Sequence, residues 1–554
     1  MKHPTAGIDP PRFLSMRWPD FSARGWTLAA AAIALLVLIP VGVVMSSLWT
    51  PAPDVWPHLM KNVLPELLRN TFWLVFGVGI GVSVLGVSLA WLTAMCEFPG
   101  RRVFAWALML PMAIPAYVLG FVFIGLLDFT GPLQTALRGW FGEFAFPAIR
   151  SRGGVILVMT LTLYPYVYLI ARNAFLTQGK RTLEVAQSLG LSRRAAFFRI
   201  ALPMARPWIV GGVMLAIMET LADFGTVAVF NYDTFTTGIY KAWYGLFSLP
   251  AASQLASLLV MLVFALILVE QYSRSRKRYT SSGRHTNAGD RIKLHRATAW
   301  SATGYCALVV SVAFVIPLLQ LIDWALGVYT SDLDARYFEF LLHSVVLGAI
   351  AAFITAVVAL TLSYAARHSR SGRTRWLTRV ATLGYALPGP VLAVGTYIPI
   401  TWLDNYLASC MLTTFGIETG PLLRGTLLTM LAAYTVRFLA VSFNTIDSHM
   451  QRITRSLDDA ARSLGVSGLK MLQRVHVPIL RSGLITGMLL VFVDVMKEMP
   501  ITLMTRPFGW DTLAIQIFEM TSEGQWERAA LPAVALVIVG LVPIALLTRY
   551  TDHT

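Results

Sequence analysis

The stretches EVAQSLGLSRRAAFFRIALP (184–203) and DAARSLGVSGLKMLQRVHVP (459–478) are two copies of one loop sequence, 275 residues apart. Both contain an acidic residue, an alanine two positions later and a Ser-Leu-Gly triplet. Both then place an arginine nine positions and a proline thirteen positions after the glycine. Agreement at so many positions predicts an internal duplication whose two halves perform the same task.

The composition indicates a membrane protein. Hydrophobic residues make up 56% of the 554 residues, charged residues make up 13%, and the mean hydropathy is +0.63. A soluble core cannot bury that much apolar surface. We predict about twelve spanning helices, at 26–48, 70–94, 103–127, 154–171, 207–230, 253–270, 299–322, 341–365, 377–403, 422–441, 482–505 and 530–549.

The 45 basic residues give the chain a formal net charge of +16. If the N-terminus lies in the cytoplasm, most of these basic residues fall in the termini and loops that the predicted spans place on the cytoplasmic side. This distribution is typical of the positive-inside rule. It predicts a multi-pass protein with both termini in the cytoplasm, a lipid bilayer as its surroundings and no nucleic-acid partner.

The polar, basic segment 271–297 separates the two halves and is predicted to be a flexible cytoplasmic linker. It divides the chain into a cytoplasmic N-terminus (1–25), a first repeat (26–270, core 66–272), the linker, and a second repeat (298–550, core 338–548). Each repeat is expected to contain six spans. An even number of spans between the two loops makes the repeats parallel.

Each loop copy is predicted to form two short helical pieces. Gly190 and Gly465 stand where the first piece ends, and Ser192 and Ser467 stand where a side chain can cap the second. A plain connector between two spans needs only polar residues and a turn. Because the spacing of acid, glycine and proline is the same in both copies while the intervening sequence differs, the pattern favours a shared function.

The pattern acid-x-Ala-x-x-x-Gly, nine residues, Ile/Val-x-x-Pro resembles the loop signature of permease subunits of bacterial binding-protein-dependent ABC importers. The resemblance covers both repeat cores and implies the type-I importer permease fold in an inner membrane. It implies two copies of a cytoplasmic ATPase and a periplasmic or tethered solute-binding protein as partners. Asp459 replaces the glutamate usual in that family. The implied ATPase-coupling residues are Glu184, Ala186, Gly190, Pro203, Asp459, Ala461, Gly465 and Pro478.

Within that family, three stretches resemble the fused permeases for ferric iron: METLADFGT (218–226), TTGIYKAW (236–243) and DVMKEMP (494–500). The resemblance implies ferric iron as the substrate. Permeases for thiamine, phosphonate and polyamines share the architecture and remain alternatives.

No energy-converting motif occurs in the sequence. The phosphate-binding pattern G-x-x-x-x-G-K-[ST] is absent, and the nine histidines and three cysteines form no metal-binding cluster. We therefore expect a chain that is not itself an enzyme, that binds no cofactor or tightly held metal, and that depends on ATP bound to a partner subunit.

Acidic residues recur inside predicted spans. Glu219 and Asp223 are four residues apart in one span, and the offset of 275 maps them onto Asp494 and Glu498. Four-residue spacing predicts that each pair lies on one helical face. Carboxylates at membrane depth must face a cavity, a partner or the bundle interior. The candidate pathway or gate residues are Glu219, Asp223, Asp494, Lys497 and Glu498.

A structural alternative is that these acids are paired with basic residues, with Lys497 beside Asp494 and Arg437 reaching from a neighbouring span. Two other classes of protein also fit a membrane chain. An ion-gradient-driven secondary transporter would use intramembrane acids to carry protons, and a channel or scaffold would need no paired loops.

Overall fold

The computed structural model describes residues 21–50, 53–142, 147–178, 184, 188, 190–275, 291–369, 371–466 and 468–551. Helices dominate this part of the chain, so the predicted all-α fold is confirmed. The one sheet in the described ranges is a parallel pair of two-residue strands, β1 (Cys96–Glu97) and β2 (Ile292–Lys293). This pair attaches the end of the linker to the first repeat.

The helices of the first half are α1 (Phe21–Ser46), α2 (Leu64–Met95), α3 (Arg101–Ala107), α4 (Ala116–Leu127), α5 (Pro132–Phe141), α6 (Arg152–Gln178), α7 (Leu202–Ala222), α8 (Gly225–Val229), α9 (Phe235–Tyr240) and α10 (Leu249–Ser275). Shorter helical turns lie at Ser47–Trp49, Trp56–His58, Leu59–Val63, Leu110–Ala113, Arg193–Ala196, Phe197–Ala201 and Lys241–Gly245.

The helices of the second half are α11 (Arg296–Val310), α12 (Ile316–Asp332), α13 (Ala335–His368), α14 (Gly372–Ala381), α15 (Gly389–Phe415), α16 (Leu427–Met450), α17 (Arg455–Ser463), α18 (Arg481–Lys497), α19 (Pro500–Thr505), α20 (Leu513–Ser522) and α21 (Trp526–Thr551). Shorter turns lie at Ser311–Val315, Leu383–Ala386, Gly468–Met471, Leu472–His476 and Val477–Ile479.

Nine of the helices in the described ranges are long and apolar enough to cross a membrane, or eleven if two sharply bent pairs each count as one span. This number is close to the predicted twelve. The bent pairs are Gly372–Ala386 with Gly389–Phe415, and Gly468–Ile479 with Arg481–Lys497. The predicted last span, 530–549, coincides with α21.

Four predicted spans are not continuous helices: 207–230 and 482–505 are interrupted after Ala222 and Lys497, and 103–127 and 377–403 are interrupted at a proline. The residues before Pro115 and Pro388 are extended: Ile114 has ψ 121° and Leu387 has ψ 131°. Proline disfavours the helical conformation at the residue before it, and at both positions a new helix starts directly after the proline. In both repeats a long apolar helix, α4 or α15, begins immediately after this break.

The duplication is visible in the helix boundaries themselves. The five-residue π-helical turns Phe197–Ala201 and Leu472–His476 are 275 residues apart, as are the ends of α7 and α18 and the starts of α8 and α19. Each repeat is built on a matching triad of packed helices, α2 with α6 and α7, and α13 with α16 and α18.

The two repeats are interleaved through their leading helices. α1 packs against α13, α14 and α15 of the second repeat, whereas α12 contacts α4 of the first. Each of the two large hydrophobic cores accordingly contains buried residues from both repeats. The repeats therefore form one bundle, which leaves a cavity at their interface.

Candidate functional site

A cavity of about 230 Å³ lies where the two repeats meet. It is lined by all five of the predicted pathway residues, together with Arg437 and the tyrosines Tyr117, Tyr166 and Tyr385. The structure thus brings the acids of both repeats to one space.

The acid pairs do not lie on one continuous helical face as predicted. α7 ends at Ala222 and α18 ends at Lys497, so Asp223 and Glu498 stand just beyond a helix, with extended ψ angles of 129° and 118°. Each acid occupies the break before a short second helix, α8 or α19. The four-residue spacing could not reveal this break, because the same spacing fits a continuous helix.

Asp223 caps the short helix that follows it. Its Oδ1 atom accepts hydrogen bonds from the backbone N–H groups of Thr226 (2.9 Å) and Val227 (3.3 Å), and its Oδ2 atom accepts one from the Thr226 hydroxyl at 2.9 Å. A carboxylate satisfies the open N–H groups at a helix start and interacts favourably with the helix dipole. Asp223 thereby stabilises the broken span.

Glu498 has the equivalent role in the second repeat. Its Oε2 atom accepts hydrogen bonds from the N–H groups of Ile501 (3.0 Å) and Thr502 (3.4 Å). Its Oε1 atom lies 3.3 Å from the Arg437 guanidinium, and both side chains are largely buried. The predicted alternative of structural pairing is therefore correct for Arg437, with Glu498 as its partner.

Glu219 and Asp494 have fewer partners. The Tyr385 hydroxyl donates a hydrogen bond to Glu219 Oε1 at 3.0 Å, which joins the two repeats. Asp494 forms no hydrogen bond or ion pair with any residue that the structure describes, and the anticipated pair with Lys497 is not formed. These two equivalent acids are the carboxylates that face the cavity without capping a helix.

Lys497 also connects the two repeats. Its ammonium group donates a hydrogen bond to the backbone carbonyl of Met112 at 3.3 Å. With Arg437 it places two basic groups against four carboxyl groups in the cavity wall. The lining therefore has an excess of acidic groups, and an electrostatic attraction for cations follows. Among the described residues, no group of three or more His, Cys, Asp or Glu side chains could hold a metal ion.

The two duplicated loops lie away from this cavity. Gly190 and Gly465 have φ angles of +83° and +76°, as their predicted position at a helix end requires. Ser192 accepts a hydrogen bond from the Ala195 N–H at 3.3 Å and so caps its helix as predicted. Ala186 and Ser467 lie outside the described residues.

The remaining loop residues occupy the following places. Glu184 and Asp459 are exposed, and Ala461 is buried on the inner side of α17. Pro203 and Pro478 each stand two residues after the π-helical turn of their copy.

The second loop is anchored by a network that sequence reasoning missed. Asp458 accepts hydrogen bonds from Arg367 of α13 (2.8 Å) and from the fully buried His476 (2.9 Å). Burial alone would raise the pKa of Asp458, but the bonds from His476 and Arg367 outweigh it and hold the pKa below its usual value. The first loop has Ala201 in place of His476, so no repeated pattern pointed to this network.

Replacing Asp458 with Asn should loosen this anchor. Asn keeps the shape but loses the charge that Arg367 and His476 share, a loss of about 1–3 kcal/mol in the free energy of unfolding. We expect the thermal unfolding midpoint of the purified chain to fall by a few degrees. The matched control D459N removes an exposed charge next to it and should leave the midpoint unchanged. An unchanged midpoint in D458N would show that the network does not hold the loop.

Comparison with known proteins agrees with this architecture. The model of the family "Binding-protein-dependent transport system inner membrane component" matches residues 82–279 and again residues 344–553. The chain is 28% identical over 497 residues to the "Fe(3+)-transport system permease protein FbpB 2" of Haemophilus influenzae, covering 89% of this chain and 91% of that protein.

Relatives named for other substrates match a shorter part. The "Molybdenum transport system permease protein ModB" of Escherichia coli is 30% identical over 187 residues, which is 33% of this chain and 80% of that protein. The "Sulfate transport system permease protein CysT" of Synechococcus elongatus is 26% identical over 225 residues, which is 39% of this chain and 77% of that protein. With its two matched repeats, the chain belongs to the family of binding-protein-dependent transport system inner membrane components.

Proposed function

We propose that this chain forms the whole transmembrane path of an ATP-driven importer and moves ferric iron, delivered by a solute-binding protein, into the cytoplasm. The observation that carries the proposal is the cavity between the repeats, where Glu219 and Asp494 face a common space. The similarity to a ferric-iron permease over nearly the full length supports the same substrate.

The charge of the cavity favours a cation over the oxyanions named in other relatives. Four carboxyl groups against two basic groups attract positive charge and repel molybdate or sulfate. Among the described residues no cluster binds a metal tightly. A weak, cation-attracting lining suits transport, because an ion held tightly would leave slowly.

The duplicated loops would couple this cavity to ATP. Two copies of a cytoplasmic ATPase would bind the loops at 184–203 and 459–478, one copy on each. ATP binding would bring the ATPases together, draw the loops with them and open the path to the outside, and hydrolysis would reset the path. The span that follows each loop, α7 or α18, carries one of the cavity acids, Glu219 or Asp494, so a movement of either loop reaches the cavity.

Competition for uptake tests the substrate. Vesicles containing the chain, its ATPase and its binding protein should accumulate labelled ferric iron when ATP is present. An excess of molybdate, sulfate, thiamine, phosphonate or a polyamine should leave this uptake unchanged. ATP-dependent uptake of one of these compounds in labelled form, with no uptake of labelled ferric iron, would assign that compound as the substrate.

The proposed orientation places both termini and the linker 271–297 in the cytoplasm. A reporter that is active only in the cytoplasm should work when fused within 271–297 and fail when fused within 231–252. The reason is the concentration of basic residues in the linker. The opposite pattern would reverse the orientation and remove the loops from the ATPase side.

A further inference from the structure

A second and larger cavity, of about 810 Å³, lies at the end of the second repeat that carries the loop 459–478. Its walls come from the ends of α13 and α16 and from α14 and α17. Besides Tyr364, the titratable side chains that line it are five arginines, two histidines and three aspartates: Arg367, Arg375, Arg379, Arg455, Arg462, His368, His476, Asp447, Asp458 and Asp459.

The charges in this cavity are not balanced. Two arginines have aspartate partners, Arg367 with Asp458 and Arg462 with Asp459. Three arginines remain, namely Arg375, Arg379 and Arg455. They form no ion pair with any residue in the described ranges. The remaining aspartate, Asp447, accepts hydrogen bonds from Ser363 and Gln451. An excess of positive charge therefore faces the cavity.

Helix α14 carries two of the three arginines that have no aspartate partner. It lies between the ends of the spans α13 and α15 and meets α15 at an angle of 116°. Arg375 and Arg379 are one turn apart on it and line the cavity, whereas Trp376 is 59% exposed. Its sequence, GRTRWLTRVA, contains no acidic residue. A short basic helix with an exposed tryptophan at the end of a span is typical of the membrane–water interface.

We propose that this cavity binds the phosphate of an anionic phospholipid headgroup, held by Arg375 and Arg379. One guanidinium group can donate two parallel hydrogen bonds to a phosphate. Basic pockets between spans at the cytoplasmic surface bind anionic headgroups. Arg455 lies at the start of α17, so the bound headgroup also contacts the second coupling loop. The lipid then stabilises that loop.

The first repeat differs at the corresponding helix. In the corresponding helix α3, Arg101 is buried and pairs with Glu97 at 3.1 Å. Arg291 of the linker also approaches Glu97, at 3.9 Å, beside the β1–β2 pair. These two arginines thus lie beside a carboxylate, whereas Arg375 and Arg379 form no ion pair with a described residue. The proposal therefore predicts one high-affinity headgroup for each chain.

Native mass spectrometry of the purified full-length chain tests the site without an ATPase or a transport assay. We expect one tightly bound phosphatidylglycerol for each chain and weaker binding of phosphatidylcholine. The double variant R375Q/R379Q should lower the phosphatidylglycerol affinity roughly 10- to 30-fold, the effect of removing two arginine charges near an anionic surface. R375K/R379K should keep most of the affinity. The matched control R373Q, an exposed arginine of α14 outside the cavity, should bind like the wild type.

Because Arg375 and Arg379 are exposed and make no ion pair with a described residue, these variants should elute as the same folded species. Equal affinity in R375Q/R379Q and the wild type would overturn the proposal, as would an equal loss in R373Q. Competition with glycerol phosphate distinguishes a lipid headgroup from a soluble phosphate compound as the ligand. If glycerol phosphate displaces the lipid at a similar concentration, the site is for a soluble phosphate compound and the lipid assignment falls.

Discussion

The double variant E219Q/D494N should lose transport while still inserting in the membrane and binding its ATPase. Both side chains face the cavity between the repeats, and neither caps a helix. Gln at 219 still accepts the hydrogen bond from Tyr385, so the geometry is kept and only the charge is removed. A charge within a few ångströms of a cation contributes about 1–4 kcal/mol, so the loss of two should slow uptake at least tenfold.

The control for this variant is E66Q/E527Q, which removes two exposed carboxylates, one in each repeat. Its uptake should equal that of the wild type. Normal uptake by E219Q/D494N would remove these acids from the pathway. Loss of the protein from the membrane would instead show that the two acids are needed for folding, because removing one partner of a buried pair destabilises the fold.

Replacing Gly190 or Gly465 with Val should abolish coupling. Both glycines have positive φ angles, and no atom of a described residue lies within 4 Å of the position that a Cβ would take. The cost is therefore conformational, about 1–3 kcal/mol for a β-branched residue in the left-handed region. The loop would avoid this cost by turning elsewhere, which would misalign its docking helix.

We expect each single Val variant to insert normally, to bind ATPase more weakly and to transport at least tenfold more slowly, with the double variant worse. G190N and G465N are matched controls, because Asn tolerates the left-handed region, and they should keep most activity. Two Val variants that transport at the wild-type rate would make the loops plain connectors, and the assignment of an ATPase-coupling role would fail.

The helical membrane fold and the duplication could be predicted because local sequence patterns indicate both. Apolar stretches long enough to span, and a loop repeated at a fixed offset, need no knowledge of tertiary contacts. The positive φ angles of Gly190 and Gly465 and the cap at Ser192 followed from the same local chemistry. The prolines at 115 and 388 carried a local signal for the broken spans, since proline disfavours the helical conformation at the residue before it, although Pro165 and Pro207 lie inside continuous helices.

Other features depend on contacts between distant parts of the chain. The break at Asp223 has no proline or glycine directly before it, and the capping bonds that stabilise it become visible only in three dimensions. The sequence did not select a partner for Arg437 among the four acids, and packing selected Glu498. The network of Arg367, Asp458 and His476 joins residues up to 109 positions apart (367 to 476) and exists in one repeat only, so the internal comparison could not reveal it.

The energy source of uptake tests the central claim most directly. Proteoliposomes that contain the chain, its ATPase and its binding protein should take up ferric iron when ATP is supplied on the side of the loops, and should stop when ATP is replaced by a non-hydrolysable analogue. An imposed proton or sodium gradient should not replace ATP. Uptake by the chain alone, driven by such a gradient and independent of ATP, would contradict the importer assignment and identify a secondary transporter.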